Sequence, residues 1–138
     1  MIGVFNLAKL SIPDSGFFVA VLKCSGDVFL HRFDSPVLPL EWLRAQVGGH
    51  IEIVPVAGVA GCRLVVNECG LMLGFPLNFN ASAVYSSGIA PVVGDAVLCC
   101  DFNALQDNFL PDIFAAPAYW INGRLARFGL LECAKLVE

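Results

Sequence analysis

Between residues 69 and 94 the chain carries no Asp, Glu, Lys or Arg. A charge-free stretch of this length belongs either in a lipid bilayer or inside a fold. A spanning helix needs about 20 consecutive apolar residues with every backbone polar group bonded internally. Here Pro76 and Pro91 break any such helix, and Asn78, Asn80, Ser82, Ser86 and Ser87 would carry polar side chains into hydrocarbon. The stretch is therefore expected in a protein core, with its polar residues at turns and helix ends, and no membrane association is expected. Near the start, Lys9 and Asp14 interrupt the apolar residues and no basic run precedes them. That is not the pattern of a secretory leader, so a cytoplasmic location is expected.

A chain of 138 residues is read as one domain, 1–138. Hydrophobic residues make up 57% and charged residues 14%, where a typical domain has about 25% charged. A monomer of this size cannot hide so much apolar side chain, which predicts a homo-oligomer or a partner interface. The net charge of −4 gives no basic stripe for nucleic acid, and it is too small for a dense carboxylate face that imitates DNA. Six cysteines occur without a CxxC pair. In a reducing compartment they read as free thiols serving as small core residues. Cys99 and Cys100 lie in a strand-like run, so their side chains should face opposite ways.

Periodicity and turn chemistry predict an α+β fold, a mostly antiparallel sheet with two short helices. Residues 16–23 and 28–33 read as a hairpin around Cys24-Ser25-Gly26-Asp27. Pro39 suits the first turn of a helix whose buried face is Leu40, Leu43 and Val47, ended by Gly48-Gly49. Residues 50–56 and 62–66 read as strands. Asn67-Glu68-Cys69-Gly70 has the residues of a type I turn, and residues 71–73 are expected to return as a partner strand. Asn78 is a candidate N-cap for a helix over 79–87, with Ala81, Val84 and Tyr85 inward and Gly88 at its end. Gly94-Asp95 leads into a strand at 96–101. Residues 107–117 read as irregular chain. Asn122-Gly123 predicts a hairpin turn between strands 118–121 and 124–128, and residues 130–137 a final strand or short helix.

The order of motifs carries a resemblance. Residues 43–46, then Val47-Gly48-Gly49-His50-Ile51-Glu52-Ile53-Val54-Pro55, are similar to the opening of a small domain of unknown function found in phages, plasmids and conjugative elements. Val65-Val66-Asn67-Glu68, Gly70, Pro76, Asn78 and Val93-Gly94-Asp95 follow in the same order. The match covers about residues 40–101, leaving the N-terminal hairpin and the C-terminal extension outside it. Cys69 stands where an acidic or polar residue is usual, and Phe79-Asn80 where proline or a polar residue and then a basic one are usual. The resemblance implies an accessory protein of a mobile element, working in a host cell, and brings no assigned reaction.

Candidate residues divide between structural and functional readings. Asn67, Glu68, Gly70 and Asn78 are first explained as turn and cap chemistry, with Gly70 supplying an unusual backbone angle. Functionally, Asn67, Glu68, Asn78 and Asn80, with Tyr85 nearby, would line one polar pocket at a sheet edge and read hydroxyls or a base edge. Trp120, Arg124 and Arg127 would gather at the predicted hairpin, where aromatic and guanidinium groups suit a nucleotide or an interface rim. His31 and His50 lie in strand-like stretches, and no signature surrounds any cysteine, so no catalytic residue is assigned. Glu52, Glu68, Asp95 and Asp101 show no metal spacing, and neither metal nor cofactor is expected. The leading expectation is a non-enzymatic counter-defence protein that sequesters a nucleotide-like signal or a host defence protein. A metal-dependent nucleotide hydrolase and a phage assembly module are the alternatives.

Overall fold

The apolar run after Gly16 becomes β1 (Phe17–Leu22), and residues 18–22 are all buried. A strand buried on both faces must lie inside a sheet with material above and below it. The computed structural model describes residues 15–56, 58–86, 90–101 and 113–137 and has that arrangement. Six strands form one sheet in the order β3-β4-β5-β1-β2-β6. The others are β2 (Val28–Phe33), β3 (Ile51–Pro55), β4 (Cys62–Asn67), β5 (Ala96–Cys100) and β6 (Ala134–Val137). Every neighbouring pair is antiparallel except β2 and β6, which are parallel. Among the described residues the sheet is joined by the short helices α1 (Leu40–Val47), α2 (Phe79–Ser86) and α3 (Ala118–Arg127), and the fold is α+β.

Strand alternation separates two cores. Phe18, Ala20, Leu22, Leu64, Ala96 and Leu98 face α2 and α3, meeting Ala81, Val84, Ile121 and Leu125. Val19, Val21, Val65, Val97 and Cys99 face the other way, against Leu43 and Val47 of α1. Cys99 thus has the orientation the strand period demands. In α1, Leu43 and Val47 are buried but Leu40 is exposed. Pro39 lies one residue before the helix, as its N-cap residue. Gly48 closes the helix at φ 80, and its N–H and that of Gly49 both donate to Arg44 O.

The expected hairpin at Asn122-Gly123 is corrected by the structure: residues 118–127 are helical. Ala118, Ile121 and Leu125 fall on one stripe at helical spacing and are buried in the first core. Pro117 precedes the helix, and Arg124 and Arg127 occupy its last turn, where cations are favoured. Asn-Gly is a strong turn signal only when the flanking residues alternate, and here they repeat with the helical period. Residues 71–73 are also corrected. They continue a run of turns, with Leu73 N donating to Cys69 O and Gly74 N to Leu71 O. The partners of β4 are β3 and β5, which leaves residues 71–73 no sheet position. Residues 131–133 form a short 3-10 helix before β6, so both readings of 130–137 hold in part. Gly88 and most of 107–117 lie outside the described residues.

The segment 113–116 wedges between strands at one end of the sheet. Phe114 exchanges backbone hydrogen bonds with Cys100, and Ala116 with Phe18. At the opposite end, Asp95 accepts from Cys24 N at 2.8 Å and Lys23 Nζ at 3.2 Å, pinning the β1–β2 turn to the start of β5. No helix among the described residues is long and apolar enough to cross a membrane.

Candidate functional site

A groove of about 340 Å³ runs along the free edge of the sheet on the α2 side. Strand pairing builds its wall: Glu52 stands opposite Val66, and Val54 opposite Leu64, so Glu52, Val54 and Val66 share one face. Tyr85 of α2 and Val92 close the inner side, and the turn after β4 brings Glu68, Leu71 and Met72 to the rim. Leu71 is 73% exposed and Met72 88% exposed. Among the described residues no strand pairs with the outer edge of β3.

Asn67 shapes the groove more than it serves it. Its Oδ1 accepts from Cys69 N at 2.7 Å, an Asx turn, and its Nδ2 donates to Val47 O at 3.1 Å. Both ends of the amide are thereby committed to the backbone. Gly70 closes the turn, its N–H donating to Asn67 O at 3.2 Å. Gly70 does not adopt a left-handed conformation. Its requirement is close approach instead, since a Cβ there would lie 3.0 Å from Val93 Cγ2.

Glu68 and Glu52 are both exposed, and neither forms an ion pair among the described residues. Two carboxylates beside apolar walls and a tyrosine form an acceptor-rich site. It suits a ligand with N–H or O–H donors and an apolar body, and it repels phosphate. Asp95 and Asp101, the other acids weighed from sequence, are occupied by Lys23 and Arg63. Among the described residues no group of three or more His, Cys, Asp or Glu is placed to hold a metal ion.

The remaining candidates do not join this groove. Asn78 is fully buried, capping α2 through Oδ1 to Ala81 N at 3.0 Å and donating to Leu22 O and Gly94 O. Asn80 Nδ2 reaches Gly26 O at 3.2 Å. Thus the single pocket of Asn67, Glu68, Asn78 and Asn80 is not assembled; Asn67, Glu68 and Tyr85 come together without the other two. Trp120, Arg124 and Arg127 lie on α3, with the Arg124 guanidinium 4.6 Å from the Trp120 ring centroid. Their helix packs on β1, and none of them lines the groove. Sequence reasoning missed Glu52 as a groove residue. Its place on the polar beat of a strand was legible, but the element lying across it was not.

Compared with known protein families, curated proteins and solved structures, the chain matches none.

Proposed function

We propose that this protein is a non-enzymatic accessory protein of a phage or other mobile element that sequesters a nucleoside-like small molecule in the β3–β4 edge groove. The observation that carries the reading is the pair of carboxylates, Glu52 and Glu68, without ion-pair partners among the described residues, set beside Tyr85 and the apolar wall. Carboxylates accept from ribose hydroxyls and from the amino edges of bases, and an aromatic side chain offers a contact surface. Any phosphate on such a ligand points out of the groove, away from the two acids. The motif order that resembles a mobile-element domain supports the biological setting, and counter-defence is a role that fits a binder of such a signal.

Isothermal titration with nucleosides, cyclic nucleotides and ADP-ribose derivatives tests the reading. Charge-assisted hydrogen bonds contribute about 1.5–3 kcal/mol, so Glu52→Gln or Glu68→Gln should each weaken binding about 10- to 100-fold. Absence of binding across the panel, or affinity untouched by both substitutions, overturns it. Turnover of a bound nucleotide would instead favour a hydrolase.

The exposed Leu71, Met72 and Leu73 favour a second reading, in which the same rim grips a host defence protein. Specific capture of one host protein, lost in a Leu71→Ser/Met72→Ser variant, would favour it. Homo-oligomerisation is proposed from the apolar surplus; a monomer by light scattering would remove that part.

A further inference from the structure

Cys62 and Cys100 face each other across the β4–β5 ladder. Their pairing type follows from the neighbouring bond. Asp101 N donates to Gly61 O at 2.7 Å, which makes residues 61 and 101 a hydrogen-bonded pair. In an antiparallel ladder bonded and non-bonded pairs alternate, so Cys62 and Cys100 form a non-bonded pair. Such pairs hold their Cα atoms about 4.5 Å apart with side chains close and on the same face. Disulfides span Cα separations of about 4.4–6.8 Å. The adjacent Cys99 does not compete: it faces the α1 core, and its Sγ donates to Arg63 O.

The surroundings offer access and counter-charge. An open cavity of about 400 Å³ has Cys62 in its lining beside Val56, Gly58, Val59 and Gly61. Arg63, held by Asp101 at 2.9 Å, also borders it. Burial pushes the Cys62 thiol up to about 11, with Arg124 and then Arg63 pulling the other way. Burial likewise pushes Cys100 up to about 12, with Cys62 and Asp101 adding to the rise and Arg124 opposing it. At rest both are therefore protonated thiols, and the guanidiniums are placed to favour the thiolate when it forms.

We propose that Cys62 and Cys100 are an oxidative modification site that closes into a cross-strand disulfide on exposure to a peroxide. The Cys62 thiolate attacks a peroxide oxygen, the O–O bond breaks, and a sulfenic acid forms with loss of hydroxide, which takes up the thiol proton as water. The Cys100 sulfur then attacks the sulfenic sulfur and expels a second water. Two thiols are oxidised and one hydrogen peroxide is reduced to two waters, which balances atoms and electrons. The cavity admits the oxidant, and the ladder register supplies the resolving partner.

The test uses the full reduced chain treated with hydrogen peroxide, then alkylated with a maleimide after unfolding. The expected result is two fewer alkylated cysteines and a peptide map joining residues 62 and 100. Cys62→Ala and Cys100→Ala should each abolish the linked peptide, while Cys69→Ala should leave it. Circular dichroism confirms that each variant is folded, and the map of the unsubstituted chain stands without them. Six alkylated cysteines after oxidation, or a link between any other pair, overturns the proposal.

Discussion

Replacing Asn78 by alanine should cost about 3–4 kcal/mol of folding stability. The side chain is wholly buried. Its Oδ1 caps α2 by accepting from Ala81 N, and losing such a cap costs about 1 kcal/mol. Its Nδ2 donates to Leu22 O at 2.8 Å and to Gly94 O at 2.9 Å. A buried carbonyl left without its partner costs about 1–3 kcal/mol; we take the low end because each carbonyl has a second lone pair. With a urea m-value of about 2 kcal/mol/M, the unfolding midpoint should fall by about 1.5–2 M at unchanged slope. Asn78→Asp separates the two roles. It keeps the cap and places a charge at the helix N-terminus, where charge is favourable, but it points an oxygen at two carbonyls. At pH 7 it should be no more stable than the alanine variant. If Asn78→Ala cost less than about 1 kcal/mol, or Asn78→Asp matched the unsubstituted protein, the two buried donations would carry no weight and the account of Asn78 as a cap and double donor would fail.

Three further outcomes are expected. Gly123 is exposed on α3, and a Cβ added there would meet nothing within 4 Å, so Gly123→Ala should raise stability by about 0.5–1 kcal/mol, read as a higher melting temperature; a loss would argue for the positive-φ hairpin turn instead. Arg63→Ala removes an ion-pair partner 2.9 Å from buried Asp101 and should cost about 1.5–3 kcal/mol by urea denaturation, whereas a change under 1 kcal/mol would refute the pairing's importance. Burial, and secondarily the Lys23 charge, holds the His31 imidazole below its ordinary value of 6.5. The unfolded chain then takes up a proton before the folded one does, so the stabilising effect is full above pH 6.5 and is lost as pH falls toward the folded value. The urea midpoint should drop between about pH 7.5 and 5.5, and less so in His31→Phe, which keeps a ring against Trp42; equal drops would refute the assignment.

Legibility in the sequence followed the range of the forces involved. The β1–β2 hairpin, α1 with its glycine stop, and the Asn78 cap were readable because local turn chemistry and burial pattern agree there. At α3 they disagree. Asn122-Gly123 asks for a turn, while Ala118, Ile121 and Leu125 ask for one buried helical face, and the buried face prevails because it packs against the sheet. Residues 71–73 look like a strand by composition, but β4 has both of its edges filled by other strands. The groove was half legible. Asn67 and Glu68 were found because they flank a recognisable turn, and Tyr85 because it falls on the inner stripe of α2. Glu52 was missed as their neighbour because only the sheet register sets it opposite Val66. Trp120 and Arg124 were expected to meet across a hairpin; they meet instead one turn apart on a helix, and their distance from the groove depends on the whole topology.

The placement of β5 has a kinetic consequence. β1 with β2, and β3 with β4, are hairpins of short sequence separation and can form early. The strand that joins them, β5, is made later and slots between β4 and β1. Until residue 100 has left the ribosome, the nascent chain therefore holds two hairpins, each with an open inner edge on a strand destined for burial on both faces. Open apolar edges recruit one another between molecules as readily as within one. Fragments ending before residue 96 should self-associate, and the yield of native protein should depend on how fast synthesis carries the chain past β5.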